Sequence, residues 1–165
     1  MKVFVSVLFA SITFTAAAQT VKPTTPAQST AYGAPISLEN AKKVLAAAEA
    51  YAVSKQYTVA IAIVDAGSNL VAFERIDNTR LGSIDIALGK ARTANNFKRA
   101  TKAFEDVVAG GGAGVRILAV QGVYPIEGGE PIVDSNGKVI GGIGVSGMSS
   151  AQDEEVTRAG LAALK

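Results

Sequence analysis

A cation, a hydroxyl group and an aromatic ring recur at helical spacing in one predicted helix. Lys90, Thr93 and Phe97 stand three and four positions apart, and residues at those separations share one face of an α-helix. A stripe of this composition could line a pocket for a flat anionic molecule, with the ammonium group meeting a carboxylate and the ring packing on the ligand. The alternative interpretation is an exposed amphipathic helix.

Two residue types that carry much of enzyme chemistry are absent from the sequence. The chain has no histidine and no cysteine, which excludes thiolate nucleophiles, Ser–His and Cys–His pairs, Fe–S clusters and cysteine-ligated zinc. Its 16 basic and 14 acidic residues give a formal net charge of +2. This small excess argues against a nucleic-acid partner, because nucleic-acid-binding domains are usually strongly basic.

Neighbouring acidic residues are the remaining candidates for acid–base chemistry. Glu105 with Asp106, and the run from Asp153 to Glu155, fall in predicted helices. Adjacent side chains on a helix point apart and cannot work as a pair. These carboxylates are therefore predicted to lie on solvated helix faces.

A glycine-rich segment offers a possible nucleotide motif. Gly142 to Gly147 matches G-x-G-x-x-G between a predicted strand and a predicted helix. A dinucleotide-binding fold also needs a further strand and an acidic residue about 20 positions on, whereas only one predicted helix follows. The segment is therefore interpreted as a strand whose glycines let another backbone, or a flat ligand, approach closely.

The elements that would position these residues are visible as hydrophobic periodicity and turn signals. Helices are predicted at 37–54, 83–96, 101–108 and 149–164, and strands at 57–64, 70–75, 115–120, 131–133 and 139–145. Turn residues at 65–69 and the Asn136-Gly137 pair indicate hairpins. Because hairpins dominate, we expect one α+β domain, an antiparallel β-sheet with flanking α-helices.

The N-terminal residues have the composition of a secretory signal peptide. Lys2 precedes an apolar run at 3–14, and Ala16 to Ala18 provide the small residues of a cleavage site. The run is shorter than the ~20 residues of a membrane span. We expect residues 1–18 to be removed, 19–35 to form a disordered Pro/Thr-rich linker and 36–165 to form the domain. The mature protein would then be secreted or periplasmic, with no membrane span.

Several segments, taken in order, resemble one family. They are Val59 to Asp65 with Gly67, Phe73 to Asp77, Lys90 to Ala94 with Phe97 and Thr101, Gly128 to Ile132, and Gly137 to Gly147 followed by Gln152 to Glu154. This combination resembles the GlcG/HbpS family, which also includes the C-terminal domain of PduO-type corrinoid adenosyltransferases. The resemblance extends over almost the whole predicted domain.

The resemblance implies a fold, an assembly and a ligand. The fold would be a profilin-like three-layer arrangement of sheet and helices, and the protein would form homo-oligomers. The small-molecule ligand would be haem, in a role linked to haem or iron sensing and handling. Matching the family's motifs position by position implies these ligand-binding residues: Arg75, Lys90, Thr93, Phe97, Gly129, Glu130 and Pro131.

The iron ligand is the point on which this chain departs from histidine-ligating relatives. The resemblance implies Thr93 as the metal ligand, and Tyr124, Met148 or water are the other donors that a chain without histidine offers. Two further hypotheses stay open. One is a metal-independent enzyme acting on a small organic acid, in which Lys90 or Arg75 polarises a carbonyl group and Asp65 or Glu130 abstracts a proton. The other is a purely structural oligomer.

Overall fold

The computed structural model describes Met1 and residues 30–164. The remainder of the predicted signal peptide and most of the predicted linker lie outside the described residues. In chain order the elements are α1 (Leu38–Ser54), β1 (Ala60–Asp65), β2 (Leu70–Arg75), α2 (Gly82–Phe97), α3 (Lys102–Ala109), a 3₁₀ helix (Gly112–Ala119), β3 (Gly129–Val133), β4 (Val139–Ser146), α4 (Ser150–Leu161) and a short 3₁₀ turn (Ala162–Leu164). No helix in this described part is long and apolar enough to cross a membrane.

The four strands form one antiparallel sheet in the order β2–β1–β4–β3. Ala60 of β1 lies opposite Arg75 on one side and opposite Ser146 on the other. The turn between β1 and β2 is closed by the Asp65 carboxylate, which accepts a hydrogen bond from the backbone N–H of Asn69 at 2.8 Å. The predicted antiparallel sheet and the α+β class are confirmed.

Helices cover both faces of the sheet and give three layers. On one face, α1 and α4 enclose an aliphatic core with β1, β3 and β4 that includes Ala41, Val44, Ala48, Ile61, Ile63, Ile132, Ile143 and Val156. On the other face, α2 packs on the sheet through a smaller cluster of Ala60, Ala62, Val64, Ala87 and Ala91. The alternation of side chains along β1 supplies both cores, since successive residues of a strand point to opposite faces.

Glycines in β4 let α2 approach the sheet at backbone distance. A Cβ atom on Gly142 would lie 2.4 Å from the carbonyl oxygen of Ala91, and one on Gly144 would lie 2.1 Å from that of Ala87. Real Cβ contacts are essentially never shorter than 3.0 Å. The expectation that this segment admits another backbone is therefore confirmed, and that backbone is α2.

Two helices begin at serine caps. Ser37 is the N-cap of α1 and accepts a hydrogen bond from the backbone N–H of Asn40 at 3.2 Å. Ser149 forms a capping box with Gln152 at the start of α4. Caps of this kind stabilise a helix by about 0.5–2 kcal/mol, so the direction of α4, which matters for the site below, is locally determined.

The predicted strand at 115–120 is wrong. This stretch belongs to the 3₁₀ helix Gly112–Ala119, in which no residue is buried. Gly111 and Gly112 have positive φ values of 68° and 53°, and a Cβ on Gly114 would lie 2.0 Å from the carbonyl oxygen of Val107. The chain therefore turns back onto α3, and its aliphatic residues pack there and do not pair with the sheet.

The folded unit begins earlier than predicted. The backbone N–H of Val139 donates to Ala31 at 2.9 Å, and that of Gly33 donates to Val139 at 2.8 Å. Ile36 in turn donates to Ile140 at 2.8 Å. Residues 31–35, predicted as part of the disordered linker, are thus held along β4, because its first residues extend beyond β1 and offer free backbone groups there.

Candidate functional site

A lysine is fully buried in this fold, and its charge is paired. The Lys90 side chain is 1% exposed. Its ammonium group donates to Asp153 Oδ2 at 2.9 Å and to the Val145 carbonyl at 2.8 Å, while Asp153 Oδ1 accepts from the backbone N–H of Met148 at 3.0 Å. Burial raises the pKa of Asp153, and the Lys90 charge opposes that shift. A buried charge of this kind is tolerated only when it is paired and hydrogen-bonded.

The ion pair joins the two helical layers at one end of the sheet. Lys90 comes from α2 and Asp153 from α4, which lie on opposite faces, and β4 ends between them at Ser146. A Cβ on Gly128 would lie 2.9 Å from Lys90 Nζ and 2.8 Å from Asp153 Cβ. Gly128 also has a φ of +115°, a conformation that favours glycine. Glycine at this position leaves room for the pair.

A cleft of about 390 Å³ opens beside the ion pair. We call it the Arg80 cleft, and its lining includes Arg80, Ser83, Ile86, Lys90, Ile126, Ser146, Met148 and Asp153. The Arg80 guanidinium donates to the Gly147 carbonyl, which holds the arginine at the cleft. The first residues of α2 and α4, Gly82 and Ser150, also line it. The cleft therefore combines positive charge, hydroxyl groups and short apolar walls.

Thr93 fastens a loop to α2. Its hydroxyl oxygen is 2.8 Å from the Gly89 carbonyl and 3.1 Å from the Gly122 carbonyl, and it accepts from the backbone N–H of Tyr124 at 2.9 Å. The residue is 0% exposed. An oxygen bonded in this way positions the loop. The implied role of Thr93 as a metal ligand stays a prediction.

The fastened loop places Tyr124 over α2. Its ring packs on Gly89, where a Cβ would come within 2.4 Å of the ring carbons. A second cleft of about 330 Å³, which we call the Tyr124 cleft, is lined by Asp85, Leu88, Gly89, Arg92, Gly122 and Tyr124. Arg92 is held by an Nε hydrogen bond of 3.3 Å to the Ser68 carbonyl. Within residues 30–164, the Tyr124 hydroxyl has no hydrogen-bond partner.

Two carboxyl groups meet where β3 packs on α4. Glu130 lies beside Glu154, and Glu154 Oε1 accepts from Arg158 Nε at 2.7 Å. Glu154 Oε2 is buried and has no hydrogen-bond partner among the described residues. Burial, and next the Glu154 charge, raise the pKa of Glu130 to about 7. Glu130 therefore keeps its proton well above the pH at which an ordinary glutamate loses it.

The raised pKa of Glu130 predicts a pH dependence of stability. The unfolded chain loses the Glu130 proton near its ordinary pKa of 4.5, whereas the folded protein keeps it to about 7. The stabilisation is present below the unfolded pKa and is lost as the pH rises towards 7. The amide in Glu130→Gln cannot ionise, so we expect a smaller fall in Tm between roughly pH 5 and 8 in this variant.

Thermal unfolding followed by circular dichroism measures this effect. Asp77→Asn is the control, because Asp77 is exposed and far from β3 in the sequence. Parallel curves of Tm against pH for wild type and Glu130→Gln would show that Glu130 is not the titrating group.

The structure does not gather the predicted ligand-binding residues around one pocket. Arg75 is exposed at the end of β2, and Glu130 and Pro131 lie on β3 at the opposite edge of the sheet. Three strand spacings, about 14 Å, separate those edges. Phe97 is 42% exposed and packs edge-on against Phe104, with ring centroids 5.3 Å apart. Only Lys90 and Thr93 adjoin the clefts described above.

The arrangement required by the small-acid enzyme hypothesis is also not assembled. Asp65 closes a turn opposite Gly141, whereas Lys90 bonds to Val145 towards the other end of β4. Gly129, a predicted ligand-binding residue, has a structural contact instead: its backbone N–H donates to the Thr101 hydroxyl at 2.9 Å. Among the described residues, neither Asp65 nor Glu130 forms an ion pair with the Lys90 ammonium group, whose carboxylate partner is Asp153.

Asp153 is the principal residue that the sequence reasoning missed. Asp153 and Glu154 are predicted to lie on a solvated helix face. This prediction is wrong, because only 2% of Asp153 and 4% of Glu154 are exposed. One signal was available in the sequence. Lys90 is flanked at helical spacing by Ala87, Ala91 and Ala94, and a lysine within a small-residue face predicts a buried cation that needs an acidic partner. The sequence pattern gives no comparable indication that Arg80, Ser83 and Ser146 line a cleft.

Comparison with protein families gives one match over most of the chain. A family model described as "Haem degrading protein HbpS-like" matches residues 36–162. The chain is 36% identical over 130 residues to a 15.0 kDa protein from the dhaT-dhaS intergenic region of Citrobacter freundii, covering 78% of this chain and 91% of that protein. It is 35% identical over 111 residues to GlcG of Escherichia coli K12, covering 67% and 81%.

Solved structures include a similar protein with a bound ligand. The crystal structure of a PduOC–haem complex superposes with a TM-score of 0.71 at 31% sequence identity, covering 79% of this chain and 96% of that chain. The similarity extends over nearly all of that domain, so the three-layer arrangement described above is shared with a protein crystallised with haem.

Proposed function

Since the chain belongs to the GlcG/HbpS family, as its motifs and the family model both show, we propose that it is a haem-binding protein whose site is the Tyr124 cleft. The observation that carries the proposal is Tyr124, which lines that cleft together with Arg92 and whose hydroxyl has no hydrogen-bond partner among residues 30–164. Tyrosine is an established type of axial haem ligand.

The residues of the Tyr124 cleft fit haem in chemical type. The chain has no histidine or cysteine, so an iron ligand from this chain would be an oxygen atom or a methionine sulfur. The Tyr124 oxygen would ligate the iron, the Arg92 guanidinium would pair with a propionate carboxylate, and Leu88 would contact the ring. Bound haem would supply a redox-active iron and a visible chromophore.

The remaining residues near this site act by positioning. Thr93 holds the backbone of Gly122 and Tyr124 against α2 through its hydroxyl group. Gly89 provides the flat surface on which the Tyr124 ring lies. Tyr124 is thereby kept at the cleft without a side-chain hydrogen bond that ligation would have to break.

Haemin titration of the purified protein, followed by absorption in the Soret region, tests this site. Tyr124→Phe keeps the ring on Gly89 and removes only the oxygen, so we expect a shifted Soret band and a loss of affinity of at least about tenfold. Arg92→Ala should weaken binding by about tenfold through the lost carboxylate pair. Arg75→Ala, an exposed arginine on the far strand, should bind as wild type.

Thr93→Val separates the two possible oxygen ligands. If Tyr124 is the ligand, this variant should keep the wild-type Soret maximum while losing thermal stability, because two backbone groups of the loop lose their partner. An unchanged spectrum in Tyr124→Phe together with a lost band in Thr93→Val would instead establish the ligand that the family resemblance implies.

Export and self-association complete the proposed function. We propose that the protein is processed before Gln19 and acts outside the cytoplasm, which the intact mass of exported protein tests. The 3₁₀ helix and the residues after it expose Val115, Leu118 and Val120 by 48%, 64% and 42%, and such a surface favours contact with a second copy. Light scattering of wild type and Leu118→Glu tests whether this surface forms the oligomer.

A further inference from the structure

We propose that the Arg80 cleft is a second site, which binds a small organic monocarboxylate independently of haem. The two clefts lie on different faces of α2. Gly82, Ser83, Ile86 and Lys90 of that helix border the Arg80 cleft, and Asp85, Leu88, Gly89 and Arg92 border the Tyr124 cleft. No lining residue is common to both.

Two serine hydroxyl groups of this cleft are free to meet a ligand. Ser83 and Ser146 are 5% and 6% exposed, and both line the cleft. Neither hydroxyl has a hydrogen-bond partner within the part of the chain that the structure describes. Neither oxygen is among the fully buried side-chain atoms that lack a partner, so both face the space of the cleft. A bound molecule with acceptor oxygens would satisfy both hydroxyls.

The charged residues that line the cleft favour a ligand with a single negative charge. Lys90 and Asp153 compensate each other through their 2.9 Å ion pair, which leaves Arg80 as the uncompensated cation among the lining residues. Its guanidinium uses one terminal nitrogen for the Gly147 carbonyl, so other N–H groups are available. A carboxylate carries one charge, whereas a phosphate monoester carries about −1.5 to −2 at neutral pH.

Further donors converge on the same place. The Lys90 ammonium group has three protons, and two of them are used by Asp153 and Val145. The N-termini of α2 and α4 begin at the cleft with Gly82 and Ser150, and helix N-termini favour anions. Together with the free serine hydroxyls, these groups place several donors around one cleft and favour an anionic ligand.

The size and walls of the cleft limit the rest of the ligand. About 390 Å³ is near the lower end of small-molecule sites. Ile86, Ile126 and Met148 form the apolar part of the lining, and together they can contact a short hydrocarbon chain. The ligand class is therefore a small acid with one carboxylate and a few apolar carbon atoms.

Sodium butyrate is the probe for this site, with butyramide as its uncharged counterpart. In an NMR titration of the haem-free protein, we expect butyrate to shift the amide signals of Ser83, Gly147 and Ser150 in a saturable way, and butyramide to leave them unchanged. Arg80→Gln should raise the Kd for butyrate by about tenfold. Ser83→Ala and Ser146→Ala should each raise it by about twofold to tenfold.

Matched controls separate this site from the haem site. Arg75→Gln changes an arginine outside the cleft and should bind butyrate as wild type. Tyr124→Phe should lose haemin affinity and keep butyrate affinity. Equal binding of butyrate and butyramide would overturn the proposal, as would preferential binding of inorganic phosphate, the absence of saturable shifts, or equal effects of Arg80→Gln and Arg75→Gln.

Discussion

Replacing Lys90 with alanine is expected to lower the free energy of unfolding by about 3–5 kcal/mol, the range for breaking a buried ion pair from one side. The variant would leave Asp153, which is 2% exposed, without its cationic partner. It would also remove the donor to the Val145 carbonyl. Since the pair joins α2 to α4 across the end of β4, we also expect this variant to bind neither haemin nor butyrate.

Urea unfolding followed by circular dichroism measures the loss, and two further variants identify its cause. Lys90→Met combined with Asp153→Leu removes both charges together, so it should recover much of the stability lost in Lys90→Ala. Lys43→Ala breaks a pair with Glu39 in which both side chains are more than half exposed, and it should change stability by less than about 1 kcal/mol. A Lys90→Ala effect as small as that of Lys43→Ala would contradict a structural role for the buried pair.

Adding a methyl group at Gly144 is the second change with a large expected effect. The new Cβ would lie 2.1 Å from the Ala87 carbonyl oxygen and 2.4 Å from the Ala91 backbone nitrogen. Both atoms belong to the backbone of α2, so no side-chain rotation can relieve the contact and the helix must move away from β4. We expect Gly144→Ala to lower the free energy of unfolding by about 1–3 kcal/mol or more.

Gly110→Ala is the matched control for Gly144→Ala. A Cβ at Gly110 would meet its nearest atoms at 3.5 and 3.6 Å, which is ordinary van der Waals contact. The same added methyl group should therefore leave stability within about 0.5 kcal/mol of wild type. Equal effects at both positions in urea unfolding would show that α2 can move off the sheet at little cost.

These two effects are linked to ligand binding through α2. The helix carries Lys90 and Ser83 towards one cleft and Arg92 towards the other, and its backbone rests directly on β4. A displacement of α2 would move residues of both sites together. Gly144→Ala should therefore weaken haemin and butyrate binding at once, whereas Tyr124→Phe and Arg80→Gln should each affect a single ligand.

Local sequence patterns determined most of the secondary structure. The start of α1 at the Ser37 cap, the start of α4 after Ser149, the Asp65 turn and the Asn136-Gly137 hairpin depend on a few residues each, and each lies where the sequence predicted it. The exception is the stretch at 115–120, whose aliphatic residues have strand propensity. A strand also needs a paired neighbour, and only the tertiary structure shows that this stretch packs on α3 instead.

The sequence by itself determined the family and the fold class, and it singled out Lys90 and Thr93 among the residues of α2 that adjoin the clefts. Only the tertiary structure decided what those residues contact. Lys90 was placed on a helix by spacing, but its partner Asp153 lies 63 positions away on a helix of the opposite layer. Thr93 likewise meets Tyr124 across 31 positions. Helical periodicity specifies a face over a few turns, whereas the partner of that face depends on how the layers cross the sheet.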